Sequence, residues 1–340
     1  MRKFDTFCVL DNHSCNNDSF DFLVAFKKKD ELINALTPFL ELNNFINQSS
    51  DWLFGYLTYD LKNNIETLSS SNIDNHSFPK IHFFYPQIII KIVKKDAIFS
   101  YDSNHTSNQI DRLFEEICQV EINQNCLDSI KIKSRVNKED YIKNIIDIQK
   151  HLQAGDIYEM NYCQEFYSEN VQLDPFTLFS NLNNMAKAPF SSFYKVNNHF
   201  CICASPERYL KKEGNKIISQ PIKGTIKRGE NILSDKKNKK KLLNSSKDFS
   251  ENVMIVDLVR NDLSRIAEKN TVNVDELIGL YTYEDVHHLI STISCKISHD
   301  KNIVDILKAS FPMGSMTGAP KIRAMEIIEK FEDTLRGIYS

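Results

Sequence analysis

The run Val253-Met254-Ile255-Val256-Asp257-Leu258-Val259 restricts the fold more than any other stretch. On a helix it is apolar nearly all round, and such a helix has to be buried. The chain has 340 residues, 41% hydrophobic and 26% charged, which allows one large or two ordinary globular domains around that helix. Asp257 falls within the run, so its charge needs a partner. Arg260, at i+3, and Arg265 are the candidates, and a purely structural pair is an equal reading.

The helix begins near Ser245, with Asp248 three residues on, as in a capping box with Asp in place of Glu. Asp248 and Glu251 are i and i+3, so both carboxylates leave one face. Two acids there suit a hard cation such as Mg2+, which takes oxygen ligands and keeps several waters. The plainer alternative is that Asp248 caps the helix and Glu251 faces water.

Three further segments carry possible chemistry. Pro221-Ile222-Lys223-Gly224-Thr225 reads as a loop after a short apolar strand, Lys216 to Ser219. Proline fixes the backbone there, and glycine permits close approach to a ligand. Lys223 is then either a nucleophilic amine or a solvated charge. Ser205-Pro206-Glu207-Arg208 follows a buried-looking strand. A desolvated Glu207 has a raised pKa and suits a general acid; a salt bridge is the duller reading. Phe311 to Lys321 places glycines, Ser315 and Thr317 before Ala319-Pro320, which opens a helix running to about Phe331. Free N–H groups at such a terminus suit a carboxylate, and a simple capped turn fits equally well.

Elsewhere the pattern is that of a mixed helix and strand protein. Trp52 to Asp60 and His82 to Val93 read as strands, the second with Pro86 marking an edge or bulge. Asn137 caps a helix ended by Gly155, Ile157 to Tyr167 reads as one long strand, and Asp174-Pro175 opens another helix. Ser191 to Val196 and His199 to Ala204 form a hairpin over Asn197-Asn198. Ser69 to His76, Ser103 to Asn108 and the lysine-rich Asp235 to Lys241 read as solvated loops. Residues 1–128 form an irregular α/β region, and residues 129–340 carry the motifs.

A formal net charge of -3 gives no electrostatic case for nucleic acid. No apolar stretch is long enough to span a bilayer, and Met1 to Asp5 is not a signal peptide, so a cytoplasmic protein is expected. Eight cysteines, at 8, 15, 118, 126, 163, 201, 203 and 295, show neither C-x-x-C nor zinc spacing and read as packed thiols in a reducing compartment.

Pro221-Ile-Lys-Gly-Thr225, Lys247 through Asp262 and Gly314-Ser-Met-Thr-Gly-Ala-Pro-Lys321 resemble the core motifs of the chorismate-utilising enzymes, in the family's order from about Val136 onward. That family includes the component I chains of anthranilate and aminodeoxychorismate synthases and the isochorismate and salicylate synthases. The resemblance implies an α+β fold of packed antiparallel sheets flanked by helices. Members that add water to chorismate carry a lysine where this chain has Glu159; aminodeoxychorismate synthases commonly carry glutamine. Lys223 in Pro-Ile-Lys-Gly-Thr resembles the aminodeoxychorismate type, whereas anthranilate synthases usually read Pro-Ile-Ala-Gly-Thr.

By that resemblance Lys223 attacks C2 of chorismate and Glu207 protonates the departing C4 hydroxyl. Ammonia then adds at C4, giving 4-amino-4-deoxychorismate for 4-aminobenzoate and folate supply. Glu251 and Asp248 would hold Mg2+. His288, Gly224, Thr225 and Ser315 would surround the substrate, and only one of the tandem His287-His288 could face it. The chain has no G-x-C-x-G motif, so a separate glutamine amidotransferase would supply ammonia. Anthranilate synthase component I, of tryptophan synthesis, is the alternative enzyme; a non-catalytic remnant that binds chorismate or the amidotransferase is the alternative of another class. The text stops at Arg336-Gly-Ile-Tyr-Ser340, inside a motif that the family continues. A chain truncated there is expected to be poorly active and to expose sheet edges.

Overall fold

The computed structural model describes residues 3–15, 19–119 and 129–339. Cys126 and the boundary expected at residue 128 lie outside the described residues. The chain begins with β1 (Thr6–Asp11), β2 (Phe22–Ile33), α1 (Pro38–Ile46), β3 (Phe54–Leu57), β4 (Ile81–Val93), β5 (Asp96–Tyr101) and α2 (Ser107–Cys118). Next come β6 (Lys133–Ser134), α3 (Lys138–Gln153), β7 (Glu159–Met160), β8 (Phe166–Tyr167), α4 (Pro175–Ala186), β9 (Phe190–Val196) and β10 (His199–Ser205). Three strands follow, β11 (Arg208–Glu213), β12 (Lys216–Gln220) and β13 (Ile222–Lys227). Helices α5 (Ile232–Leu243) and α6 (Ser246–Ser264) lead into β14 (Asn273–Thr282) and β15 (Val286–Lys296), then α7 (Ile303–Ser310), β16 (Gly318–Ala319) and α8 (Lys321–Phe331).

A first antiparallel sheet runs β10-β9-β1-β2-β4-β3, with β5 added on β4. It draws strands from both halves of the chain, because β1 pairs with β9 along its whole length. Its residues alternate between two cores. Cys8, Leu23, Ala25, Phe84 and Tyr194 pack on one side; Phe7, Val9, Phe26, Ile88 and Phe193 pack on the other. Burial on both faces explains why β1 is continuously apolar from Phe7 to Leu10. Pro86 sits in β4 between the stretch paired with β3 and the stretch paired with β5, and β2 shifts register opposite it. Its missing N–H therefore costs no ladder bond on the β3/β5 side.

The second sheet is built around β15. One edge pairs with β12 and then β13, and β14 lies along the other; β11 extends it through β12. Helix α6 lies across this sheet. Ile255, Val256, Val259 and Leu263 meet Ile217, Ile293 and Cys295 there. The expectation of packed antiparallel sheets flanked by helices holds.

Several local expectations are corrected. Helix α6 is not apolar all round. Its buried stripe is Asn252, Ile255, Val256, Val259, Asp262 and Leu263, the i, i+3, i+4, i+7 pattern of a one-sided helix. Asp257 points to solvent, 65% exposed, in a surface pair with Arg260 at 2.6 Å. The acid that is buried is Asp262. The lysine-rich segment is helix α5: Asn231 and Ser234 form a capping box, Asp235 lies in the first turn, and Lys240 and Lys241 suit the dipole in the last. The stretch from Ile157 to Tyr167 is only two short strands, because β7 finds a partner in β16 and β8 in β6, with none between. Ser107 and Asn108 belong to α2, which Thr106 caps. The hairpin, the Asn137 and Asp174 caps and the Gly155 terminus (φ 78°) stand as expected.

Candidate functional site

Lys223 sits in strand β13 itself, not in a loop. Between Ile222 and Thr225 the pairing of β13 with β15 shifts register, and this bulge turns the lysine out of the ladder. Gly224 makes the bulge possible with φ at 95°. A Cβ there would meet Asp248 Cβ and Leu289 Cδ1 at 3.1 Å each. The strand and the first turn of α6 are thus in contact.

Polar groups fix α6 against the sheet at this level. Asn252, on the buried stripe, donates to the carbonyls of Lys223 (3.3 Å) and Leu289 (3.4 Å) and accepts from Ser291 Oγ at 2.5 Å. Ser291 Oγ in turn accepts from Ile278 N across on β14. One buried amide therefore ties α6, β13, β14 and β15 together.

The Lys223 ammonium meets Glu159 from β7: Nζ to Oε1 is 2.5 Å, with the side chains 18% and 11% exposed. Glu159 Oε2 is buried and has no hydrogen-bond partner. Burial raises the Glu159 pKa, against the pull of Lys223, and the neighbouring Glu251 carboxylate raises it further. Glu207, between β10 and β11, accepts a hydrogen bond from Ile222 N at 3.2 Å. Burial likewise raises the pKa of Glu207. Ser315 Oγ lies beside that carboxyl yet is buried without a hydrogen bond of regular geometry. Thr225 Oγ1 and His288 Nδ1 share a 2.8 Å hydrogen bond. Burial lowers the His288 pKa, with His287 adding to it, so the ring is neutral at pH 7.

The sheet places the two histidines on opposite faces, as expected. His287 is fully buried and bonds Asp235 Oδ1 at 2.9 Å and Thr282 Oγ1 at 3.0 Å. It anchors α5 and takes no part in the Lys223 cluster. Asp248 and Glu251 share one face of α6: Asp248 N–H donates to the capping Ser245 Oγ at 3.3 Å, and Glu251 has Lys247 at 3.6 Å. Among the described residues no cluster of three or more metal-ligating side chains occurs. The structure thus gathers Lys223, Glu207, Gly224, Thr225, His288, Ser315, Asp248 and Glu251 around one end of β13 and α6. A cleft of about 600 Å3, lined by Lys187, Arg208, Arg228 and Tyr283 among others, contains none of them.

Sequence reasoning missed two buried ion pairs that frame this cluster. Lys321, the last residue of the Gly314–Lys321 motif, reaches Asp262 Oδ2 at 2.5 Å and the Ser310 carbonyl at 3.0 Å. Burial pushes the Asp262 carboxyl up to about 6 in spite of that lysine. Arg336 bonds Glu332 through Nε (2.9 Å) and Nη2 (2.7 Å), and its guanidinium also reaches the carbonyls of Met316 and Asn161. Those carbonyls flank Ser315 and Glu159. The signal for Asp262 was present, since it falls on the apolar stripe of α6; nothing in the text shows which cation meets it.

The Asp262–Lys321 pair gives a stability prediction. Lys321→Ala leaves a buried carboxylate alone, which should cost about 3–5 kcal/mol. The folded-state pKa of Asp262, already above the unfolded value, then rises further. Its contribution to stability is present at low pH and is lost as pH rises through the folded pKa. The drop in thermal midpoint should therefore be larger at pH 8 than at pH 5. Equal drops at both values would contradict the assignment of Asp262 as the stranded charge.

Comparison with known proteins decides the family. Residues 12–340 match the model for chorismate binding enzymes. The chain belongs to that family. Among the curated relatives of this chorismate-binding chain is aminodeoxychorismate synthase component 1 of Escherichia coli (strain K12), 40% identical over 207 residues, which are 61% of this chain and 46% of that protein. An anthranilate synthase component I-like protein of Synechocystis is 30% identical over 326 residues, covering 92% of this chain and 67% of that one. The chain spans just under half the length of the E. coli relative in their alignment. Among solved structures, anthranilate synthase component I from Streptococcus pneumoniae superposes with a TM-score of 0.81 at 24% identity, over 98% of this chain and 79% of that one. That likeness establishes the fold. No helix of the described residues is long and apolar enough to cross a membrane.

Proposed function

We propose that this chain is the chorismate-converting part of an aminodeoxychorismate synthase of the component I type. The observation that carries the reading is Lys223 itself. It stands on a bulged strand with its amine in a largely buried ion pair and Glu207 on the adjoining turn. In this reading the neutral amine forms a bond to C2 of chorismate while both ring double bonds shift and the C4–O bond breaks. Glu207 donates the proton that lets the hydroxyl leave as water. Ammonia adds at C4, both double bonds shift back and the C2–N bond breaks. Two facile displacements replace one difficult one.

Thr225, Gly224 and Ser315 surround the substrate carboxylates in this reading. Ser315 Oγ, buried beside the Glu207 carboxyl, can turn its hydroxyl to a substrate carboxylate in this reading. His288, neutral and tied to Thr225, can donate or accept near the C4 hydroxyl. Glu251 and Asp248 would hold Mg2+. Two carboxylates one turn apart fit an ion that keeps most of its waters, and the ion's charge would offset a substrate carboxylate. Ammonia would come from a separate glutamine amidotransferase.

The Synechocystis match over most of the chain favours a second reading, anthranilate formation. Product identity separates the two. The purified protein with chorismate, Mg2+ and ammonium should give no anthranilate fluorescence and should yield 4-aminobenzoate only after a lyase is added. Direct anthranilate fluorescence would overturn the first reading.

A further inference from the structure

We propose that Lys321 is a positioning residue whose buried ammonium sets the Gly314–Ser315 turn against Glu207. This inference rests on the reading that Ser315 meets a substrate carboxylate and that Glu207 protonates the leaving group. It starts from a surplus of buried charge. Behind the Lys223 cluster lie two full ion pairs, Lys321–Asp262 with side chains 12% and 6% exposed and Arg336–Glu332 with 3% and 4%. Apolar side chains often fill such places with no loss of stability, or with a gain. What they cannot do is donate to a backbone carbonyl, and both cations do so, one on each side of Ser315.

The turn from Gly314 to Gly318 contains two glycines and has little stiffness of its own. Its internal bonds are local. Met316 N and Thr317 N donate to the carbonyls of Met313 and Gly314, each at 3.1 Å, and Thr317 Oγ1 donates to Gly314 O at 3.1 Å. These bonds shape the turn without fixing its distance from Glu207.

Lys321 supplies that distance. Nζ donates to the Ser310 carbonyl at 3.0 Å and meets Asp262 Oδ2 at 2.5 Å. Ser310 ends α7 and Lys321 opens α8, so one ammonium draws together the two ends of the segment that carries the turn. Asp262 fastens that closure to α6. The same helix is tied by Asn252 to the Lys223 carbonyl of β13, and Ile222 N of β13 holds Glu207. Tyr209, two residues after Glu207, also bonds Ser310 Oγ at 2.7 Å. On the far side the Arg336 guanidinium grips the carbonyl of Met316, next to Ser315. Gly314 is seated on α6, where a Cβ would lie 2.9 Å from Leu258 Cδ2. The space left among Asp262, Ser310, Gly314 and Ser315 is about 10 Å3, room for one water at most. Each ion pair is neutral as a whole, so its contribution at the substrate is placement rather than field.

The test replaces the pair without leaving a charge behind. Asp262→Leu combined with Lys321→Met should keep the circular dichroism and thermal midpoint of the parent. Its kcat/KM for chorismate, with ammonium and Mg2+, should fall by on the order of 10²-fold, the usual cost of a misplacement of about 1 Å. A double-mutant cycle with Ser315→Ala asks whether the loss runs through the turn. Ser315→Ala alone should lower kcat/KM by about tenfold or more, as befits a lost hydrogen bond to a charged group. In the swapped background it should cost less than about twofold, because the hydroxyl is already out of place. A pair that serves stability alone predicts parent-like turnover in the swapped protein, or an equal cost of Ser315→Ala in both backgrounds. Either result overturns the inference. If the swapped protein does not fold, Lys321→Met goes through the same cycle at a temperature where its circular dichroism matches the parent, and the same two results overturn it. Lys223→Arg tests the underlying reading separately. Turnover that survives there rejects the lysine as nucleophile, while the coupling between Lys321 and Ser315 stands or falls on the cycle. A parent protein that does not consume chorismate with ammonium rejects the reading and this inference with it.

Discussion

Replacing Lys223 by arginine is expected to abolish ammonia-dependent consumption of chorismate, by on the order of 10³-fold or more. Arginine keeps the positive charge and the pair with Glu159, so the fold and the local field are preserved. Its guanidinium stays protonated at any workable pH and presents no free lone pair. Lys223→Ala should lose turnover equally but is a less clean probe. It strands Glu159, 11% exposed, beside Glu251, and part of its effect would be structural. Circular dichroism and the thermal midpoint of the arginine variant should match the parent. Retained turnover in both variants would remove the lysine from the mechanism and move the chain toward the anthranilate type.

The second large effect is expected at Glu207. Glu207→Gln keeps the acceptor for Ile222 N but cannot deliver a proton to the leaving hydroxyl. A loss of about 10²–10⁴-fold in kcat is expected, the usual worth of a general acid. Burial raises the pKa of this carboxyl, so its acid form persists to higher pH than that of an exposed glutamate. Activity that depends on that form is present below the folded pKa and is lost as pH rises through it. The alkaline limb of the rate profile should therefore belong to Glu207 and disappear in the glutamine variant. A limb that stays in place would assign it to another group.

Much of this arrangement can be read in the text, and the rest fails for identifiable reasons. Caps and turns announce themselves locally: Asn137, Asp174-Pro175 and Asn197-Asn198 each carry their own geometry, and each is found where expected. The motif around Lys223 was legible as a place where the backbone comes close to a ligand. Its true form, a bulged strand, was not, because the bulge exists only relative to β15, more than sixty residues later. Asp257 lies off the buried face, and the apolar window around it is too short to show which side of the helix is covered. Extending the pattern to Asn252 and Asp262 shows a stripe with polar residues at two of its positions. The stretch from Ile157 to Tyr167 has strand composition throughout, yet strands need partners, and only its ends find them. The Lys223–Glu159, Lys321–Asp262 and Arg336–Glu332 pairs lay beyond the sequence as pairs, because pairing across the fold leaves no trace in spacing. Each member of the first pair could be singled out alone; their 2.5 Å contact could not.

Everything turns on whether this amine is a leaving group in waiting, bonded for a moment to the ring it attacks. The direct measurement is peptide mapping by mass spectrometry after the protein has met chorismate and Mg2+ with no ammonia source. The peptide containing Lys223 should gain the mass of chorismate less one water and should lose it again when ammonium is added. A protein that turns chorismate over with ammonium, yet never carries that mass on Lys223, would contradict the account.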